Sequence, residues 1–144
     1  MKLRALLDTN ILVAGFANRS GASFRLLNHA LNKQFLFLAT PALWLEYEAV
    51  LKRTEMLELH GYSIGEIDDI LHGLAASVEP VTSHFLWRPQ LRDPNDEMVL
   101  EAAVNGSAQY LVTVNTRDFA MASDQFGIKV CLPGHFLKIL EKTL

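Results

Sequence analysis

Short apolar runs alternate with helix-like segments along most of this chain, and few folds accommodate such an alternation. Four runs have the length and apolar content of strands buried on both faces: residues 3–8, 35–39, 110–114 and 128–132. Helical spacing or helix caps mark residues 21–33, 42–53, 93–106 and 134–143, and a further helix begins near Ser63. The pattern predicts parallel βαβ units, and therefore a three-layer α/β/α fold in which helices cover both faces of a parallel sheet. Residues 80–90 fit neither pattern and are predicted to be irregular, with an edge strand among them.

Length and composition are those of one folded domain spanning residues 1–144. Half of the residues are apolar and 20% are charged, which favours an ordinary hydrophobic core over a disordered chain. The apolar runs are too short to cross a membrane, and the first residues lack the features of a signal peptide. Cys131 is the only cysteine, so an internal disulfide is excluded and a cysteine-based zinc site is not expected. We therefore expect a soluble, cytoplasmic protein.

Charge is distributed unevenly along the chain, although its formal sum is only −3. Residues 1–53 contain seven Lys or Arg residues and three acidic ones, whereas residues 54–144 contain six and thirteen. The basic part is a candidate surface for a polyanion. Ordinary solvated surface charge explains the same distribution equally well.

Asp8 interrupts the first apolar run, which continues after it through Ile11, Leu12 and Val13. Burying an ionised carboxylate costs several kcal/mol unless it is paired or binds a cation. In parallel sheets the ligand site lies beyond the carboxyl ends of the strands, and both Asp8 and the segment TVNTRDF, residues 113–119, are expected there. Asp8 is therefore a candidate ligand of a cation.

Further acidic residues are expected near the same edge of the sheet. They lie beside the apolar stripe of one helix, in the first turn of another and just after a later strand: Glu46 or Glu48, Asp96 with Glu97, and Asp118. Taken singly, each has an ordinary explanation as a cap, helix-dipole or surface residue. Taken together, clustered carboxylates repel one another and take up protons unless a cation is bound. Oxygen ligands of this kind suit Mg²⁺ or Mn²⁺, so the sequence predicts a divalent-metal site.

The segments that carry these residues resemble the PIN-domain ribonucleases, in particular the VapC-like toxins of type II toxin–antitoxin systems. The segments are LLDTNILV, EYEAVL, DPNDEMVLEAA and YLVTVNTRDF, and they follow in the family's order over nearly the whole chain. The resemblance implies a five-stranded parallel sheet, a bound Mg²⁺ or Mn²⁺ and single-stranded RNA as substrate. It also implies a small antitoxin protein as partner and a homodimer.

The resemblance further assigns roles to individual residues in a metal-assisted hydrolysis of phosphodiester bonds. The implied catalytic carboxylates are Asp8, Glu46, Asp96, Glu97 and Asp118. The chief implied metal ligands are Asp8 and, at a position that the resemblance leaves open between them, Asp96 or Glu97, while Asp118 is a ligand directly or through water. Glu46, which fits the family better than Glu48, is a ligand or orients the attacking water. The implied supporting hydrogen-bond partners are Thr9, Asn10, Thr113 and Asn115. The candidate contacts to RNA phosphates are Arg19, Arg25 and Arg117.

Asn115 is the point at which this chain departs from the family's usual pattern. Many members have Asp at this position, whereas others have Asn with an Asp three residues later, as Asp118 is here. An amide offers an oxygen to a cation but no charge, so the site is expected to bind metal less tightly or to use one ion instead of two.

Other classes of protein also begin with a strand and an Asp. A haloacid-dehalogenase-type phosphatase needs a second acid two residues later, where this chain has Asn10. A receiver domain typically has an acidic pair before its first helix, and that pair is absent here. The remaining alternative is a noncatalytic PIN-like module that binds RNA or a protein, with Asn115 marking a degenerate metal site.

Overall fold

A parallel five-stranded sheet organises the computed structural model, which describes residues 2–82, 91 and 93–144. The strands are β1 (Arg4–Leu7), β2 (Leu36–Ala39), β3 (Val78–Pro80), β4 (Tyr110–Val112) and β5 (Lys129–Cys131). They are arranged in the order β3-β2-β1-β4-β5, and every neighbouring pair is parallel. The predicted α/β/α fold with a parallel sheet is confirmed. The first strand of the chain lies in the centre of the sheet.

Eight α-helices and a short 3₁₀ helix (Thr116–Phe119) lie in the described residues. The α-helices are α1 (Thr9–Ala17), α2 (Ala22–Leu31), α3 (Pro41–Leu51), α4 (Thr54–His60), α5 (Ile64–Ala75), α6 (Pro94–Asn105), α7 (Ala120–Phe126) and α8 (Pro133–Glu141). The five predicted helices correspond to α2, α3, α5, α6 and α8 within a few residues. Along this described part of the chain, no helix has the length and apolar character needed to cross a membrane.

Side-chain caps explain where several of these helices begin. The Thr40 hydroxyl accepts a hydrogen bond from the Leu43 N–H at 3.1 Å, one residue before the proline that opens α3. Ser63 and Glu66 form a reciprocal capping box at the start of α5. These caps satisfy backbone N–H groups that the first turn of a helix leaves without a partner.

Residues 9–17 form α1, a helix that hydrophobic periodicity did not indicate. Ile11, Leu12, Gly15 and Phe16 are buried, and the segment is apolar on most of its circumference. The buried residues lie on one face, but most of the other positions are apolar as well, so the sequence lacks the 3.6-residue alternation of an amphipathic helix. The helix starts directly after Asp8, which is its N-cap.

Of the segment predicted to be irregular, residues 80–90, the structure describes residues 80–82, and Pro80 is the last residue of a strand. β3 ends at Pro80 and pairs only with β2, so it is an edge strand, where a proline is tolerated. Val81 continues the pairing with an N–H that donates to the Ala39 carbonyl at 2.9 Å. Residues 83–90 of the segment lie outside the described residues.

The core lies on both sides of the central strands. Leu6 of β1 pairs with Leu38 on one side and Leu111 on the other, and all three side chains are fully buried. Because β1 and β4 are neighbours, the residues that follow them meet at the carboxyl edge of the sheet. The Asp8 N–H extends this pairing by donating to the Val112 carbonyl at 2.9 Å.

Candidate active site

Asp8 is a buried carboxylate that directly follows β1. Its Oδ1 accepts a hydrogen bond from the Thr9 N–H at 2.7 Å. Its Oδ2 accepts hydrogen bonds from the Thr113 hydroxyl at 2.8 Å and the Asn10 amide at 3.2 Å. Three neutral donors therefore hold the carboxylate in one orientation at the carboxyl edge of the sheet.

Hydrogen bonds do not fully offset the burial of Asp8. Desolvation by burial raises the pKa of this carboxyl, whereas the hydrogen bonds from Thr113, Thr9 and Asn10 lower it. The negative charge of Asp118 raises it further, and the net pKa lies above the usual value of 3.8. Among the described residues, no basic side chain forms an ion pair with Asp8. The site therefore has an uncompensated negative charge at its most buried point.

Thr113 directly follows β4, and its hydroxyl donates the hydrogen bond to Asp8 described above. Its side chain is fully buried, and its hydroxyl oxygen accepts hydrogen bonds from the Asn115 N–H at 3.0 Å and the Asn10 amide at 3.4 Å. The Val114 N–H donates to the side-chain amide oxygen Oδ1 of Asn10, also at 3.4 Å. The Asn115 backbone, rather than its exposed side chain, is thus the part of that residue that supports Thr113.

Asp96 lies in the first turn of α6, where the negative charge of Asp8 acts on it. Its pKa is raised from 3.8 to about 6, first by burial and then by the negative charges of Asp93, Asp8 and Asp118. These charges place four carboxylates at one edge of the sheet, which we call the acidic cluster: Asp8, Asp93, Asp96 and Asp118. Asp93 was not predicted as a site residue because its role as the N-cap of α6 accounts for it in the sequence.

Glu97 is engaged differently from its neighbour Asp96. Its Oε2 accepts a hydrogen bond from the Leu91 N–H at 2.7 Å, so it ties the chain that precedes α6 to the first turn of the helix. The charges that raise the pKa of Asp96 are those of the acidic cluster. Of the two acids that the sequence left open at this position, Asp96 is thus the one that the structure brings to Asp8.

The two glutamates of α3 are separated by their partners. Glu48 pairs with Lys52 at 2.9 Å, and Lys52 also contacts Asp68 of α5. Glu46 is half-buried and forms no hydrogen bond or ion pair with another described residue. The next residue, Tyr47, donates a hydrogen bond from its hydroxyl to the Leu7 carbonyl, and the charge of Asp8 adds to the burial that raises the Tyr47 pKa. Glu46 therefore lies on a helix that passes beside Asp8.

The three candidate RNA-binding arginines also differ in their surroundings. Arg25 forms an ion pair with Glu141 of α8, and the Arg19 guanidinium lies over the Tyr62 ring at 4.8 Å. Arg117 is exposed, precedes Asp118 in the 3₁₀ helix and has no partner among the described residues. Only Arg117 combines proximity in sequence to the acidic cluster with a free guanidinium.

The acidic cluster has the ligand chemistry that suits a hard divalent cation, but its side chains do not form a complete coordination shell. Across residues 2–82, 91 and 93–144, no three His, Cys, Asp or Glu side chains are arranged to hold a metal ion directly. The donors are carboxylate oxygens, which Mg²⁺ and Mn²⁺ favour, and both ions commonly retain several waters. Burial first, and then repulsion between carboxylates, raises the pKa of Asp8 and Asp96, and a bound cation would oppose both effects.

A parallel sheet with clustered carboxylates at its carboxyl edge, one of them buried, defines an α/β protein with an acidic site beyond its strands. The family model described as PIN domain matches residues 4–117, which run from β1 into the 3₁₀ helix. The chain therefore belongs to the PIN domain family, whose members are commonly nucleases that use divalent metal ions. A comparison with curated proteins gave no match.

Proposed function

We propose that this protein is a divalent-metal-dependent ribonuclease that hydrolyses phosphodiester bonds of RNA. The observation that carries the proposal is the acidic cluster, in which burial and the charge of Asp118 raise the pKa of Asp8, and burial and the charges of Asp93, Asp8 and Asp118 raise that of Asp96, with no ion-paired basic side chain among the described residues. A fold has little reason to retain such repulsion unless a cation occupies the site. Membership of the PIN domain family supports the same chemistry.

Asp8 and Asp96 are the principal metal ligands in this proposal, with Asp118 bound directly or through water. When bound, Mg²⁺ or Mn²⁺ lowers the pKa of a water and neutralises charge on the scissile phosphate. Thr113, Thr9 and Asn10 keep Asp8 in place through the hydrogen bonds described above.

Glu46 is proposed to orient the attacking water or to accept its proton. Its carboxylate has no partner among the described residues, whereas that of Glu48 pairs with Lys52. A general base must reach the water with an oxygen that is not already engaged. This difference favours Glu46 over Glu48 as the glutamate of α3 that acts in the site.

Asn115 and Asp118 divide a role that one Asp performs in many family members. The Asn115 side chain offers an oxygen without charge, while Asp118 supplies the charge from the next turn. We expect this site to bind metal more weakly than one with Asp at both positions, and to use one ion rather than two.

The toxin role and the assemblies belong to the proposal as well. We propose a VapC-like toxin of the cytoplasm, with a small antitoxin as partner and a homodimer as its assembled form. The four segments that resemble the toxin family support this. Light scattering after size-exclusion chromatography tests the dimer, and co-purification with the product of a neighbouring small gene tests the antitoxin.

Cleavage of a mixed pool of structured and single-stranded RNAs tests the activity. Wild type and Asp8→Asn are compared with Mg²⁺, with Mn²⁺ and with EDTA. We expect cutting by the wild type only when a metal is present, and at least a hundredfold slower cutting by Asp8→Asn. Equal rates for the two proteins would refute the assignment of Asp8. Metal binding by calorimetry without any cleavage would support the noncatalytic alternative, in which the module binds RNA or a protein.

A further inference from the structure

A cleft lies along β5, the edge strand that β4 separates from β1 and Asp8. It has a volume of about 520 Å³, within the range of small-molecule sites. One wall comes from the 3₁₀ helix and α7, the other from α8, and β5 forms the floor. We call it the β5 cleft.

The polar side chains of the β5 cleft have no partners of their own. The Lys129 amine, the His135 ring and the hydroxyls of Thr116 and Ser123 form no hydrogen bond or ion pair with another described residue. Lys129 lies over the Tyr110 ring, with its amine 5.6 Å from the centroid. These groups converge on one space and are available to a ligand.

Tyr110 shows that this space reaches into the molecule. The residue is only 8% exposed, and its hydroxyl has no partner among the described residues. In the same part of the chain, no buried side-chain oxygen or nitrogen lacks a hydrogen bond. The Tyr110 hydroxyl is therefore in contact with solvent, and the cleft that it lines is the route.

The remaining lining of the β5 cleft is apolar. Ala120 of α7, Val130 of β5 and Ile139 of α8 contribute aliphatic walls between the polar groups. A ligand that fills the cleft must combine a flat or apolar body with an anionic group. A nucleotide has this combination, since its base is flat and its phosphate meets cations and hydroxyl donors.

The β5 cleft begins next to the acidic cluster. Thr116 lines the cleft, and Asp118 lies two residues later in the same 3₁₀ helix. Their Cα atoms are separated by at most about 7.6 Å, because consecutive Cα atoms are 3.8 Å apart. An RNA chain bound at the acidic cluster therefore has neighbouring nucleotides close to the cleft.

We propose that the β5 cleft binds a nucleotide unit, with Lys129 meeting its phosphate and the walls of α7 and α8 enclosing its base. The inference rests on the proposed function in one respect, which is that the unit is a nucleotide of the RNA flanking the bond to be cut. A free nucleoside phosphate has the same chemistry and is the other source. Lys129 acts as a binding residue and takes no part in the hydrolysis.

Binding of a fluorescent single-stranded oligoribonucleotide in EDTA tests the role of Lys129 without cleavage. We compare the wild type with Lys129→Gln and with Lys33→Gln, a control in the turn before β2, a strand that β1 and β4 separate from β5. Lys129→Gln is expected to weaken binding about fivefold and to lower the slope of log affinity against log salt by about 0.7, the effect of one lost contact to a single strand. Lys33→Gln is expected to bind as the wild type does.

The single cysteine of the chain reports occupancy of the same cleft. Cys131 lines the cleft, and burial raises its pKa to about 11, so its alkylation by iodoacetamide at pH 9 is slow and measurable by mass spectrometry. We expect RNA to slow this alkylation at least fivefold. Equal protection by a mixture of nucleoside monophosphates identifies a free nucleotide as the ligand. Protection by RNA alone identifies a nucleotide within the RNA chain as the ligand.

The outcomes separate this inference from the nuclease proposal. Unchanged alkylation in the presence of RNA and nucleotides overturns the site, even where Lys129→Gln weakens binding, because the lysine then contacts RNA outside the cleft. Cleavage that depends on Asp8 together with wild-type binding by Lys129→Gln also overturns the site while leaving the ribonuclease intact. Protection of Cys131 without cleavage by any variant retains the site and refutes the ribonuclease.

Discussion

Asp8 is oriented by neutral donors, and this choice of partners decides what the site can bind. An arginine or lysine in place of Thr113 and Asn10 would cancel the charge of the carboxylate and leave nothing for a cation. The hydroxyl and amide instead donate hydrogen bonds to its Oδ2 at 2.8 and 3.2 Å and leave the charge in place. Together with Asp96 and Asp118, Asp8 therefore keeps a local negative potential that a bound cation or a proton relieves.

Glu46 and Glu48 offer a matched pair of substitutions on one helix. Glu46→Gln is expected to lower kcat of the metal-dependent cleavage by about a hundredfold, since general-base assistance typically contributes ~10²–10⁴. Glu48→Gln is expected to retain activity, because Glu48 is occupied by Lys52. Steady-state kinetics with one RNA substrate decide between them, and a reversed order of the two variants would show that Glu48 is the acid of the site.

Asp96 makes the stability of the metal-free protein depend on pH. Its pKa is raised from 3.8 to about 6, so the folded protein holds the proton more tightly than the unfolded chain does. The stabilisation by this proton is complete below the unfolded pKa of 3.8 and is lost as the pH rises through about 6. After discounting for solvent exposure, the loss is on the order of 1 kcal/mol.

Asp96→Asn is therefore expected to be more stable than the wild type at pH 7.5 in EDTA and nearly equal to it at pH 4. Urea unfolding at both pH values measures the difference, and the exposed Asp69→Asn on α5 is the control. A stability gap between wild type and Asp96→Asn that stays constant with pH would contradict the assigned repulsion.

The elements predicted from sequence are those whose surroundings leave a periodic pattern. Strands buried on both faces show as apolar runs, and α5 shows both a capping box and an apolar stripe. α1 escaped prediction because it is apolar on most sides, and α4 and α7 because seven residues give fewer than two full turns of pattern. β3 has three residues, of which the last is Pro80.

The sequence predicts which part of the fold carries the candidate site residues, but not which hydrogen bonds and charges surround each of them. The order of motifs indicated which acids approach the sheet edge, whereas the choice between Asp96 and Glu97 depends on a hydrogen bond to Leu91 that no local pattern encodes. Asp93 joins the cluster although its capping role explains it fully in the sequence. The folded path of the chain around the start of α6 decides such cases, although the residues in contact are only three to six positions apart.

Gly106 shows how tightly the C-terminus of α6 packs against the sheet. A Cβ at this position would lie 2.8 Å from a Val81 methyl group and 3.0 Å from the Ala102 carbonyl oxygen. Gly106→Ala is expected to destabilise the fold by about 1–3 kcal/mol, as overpacking does. Thermal or urea unfolding measures this, with Gly134→Ala as the control because a Cβ there meets nothing among the described residues. Equal losses for the two variants would contradict a steric cause.

At the scale of the whole molecule, metal and fold are expected to stabilise one another. A cation that binds only the folded state adds stability by mass action, about 2.7 kcal/mol at a hundredfold excess over its Kd. We therefore expect Mg²⁺ or Mn²⁺ to raise the Tm of the wild type by several degrees, and EDTA to reverse the change. Asp8→Asn is expected to lose most of this shift, and Glu48→Gln to keep it. A shift of equal size in Asp8→Asn would place the cation elsewhere.

The sheet order delays the assembly of the site during synthesis. Asp8 lies on the central strand, yet its partner Thr113 follows 105 residues later along the chain. At a synthesis rate of about 5–20 residues per second, roughly 5 to 20 s pass between the translation of the two residues. A nascent chain therefore carries the first carboxylate long before it can orient it. A ribonuclease of the kind proposed would in this way stay inert while it is still attached to the ribosome.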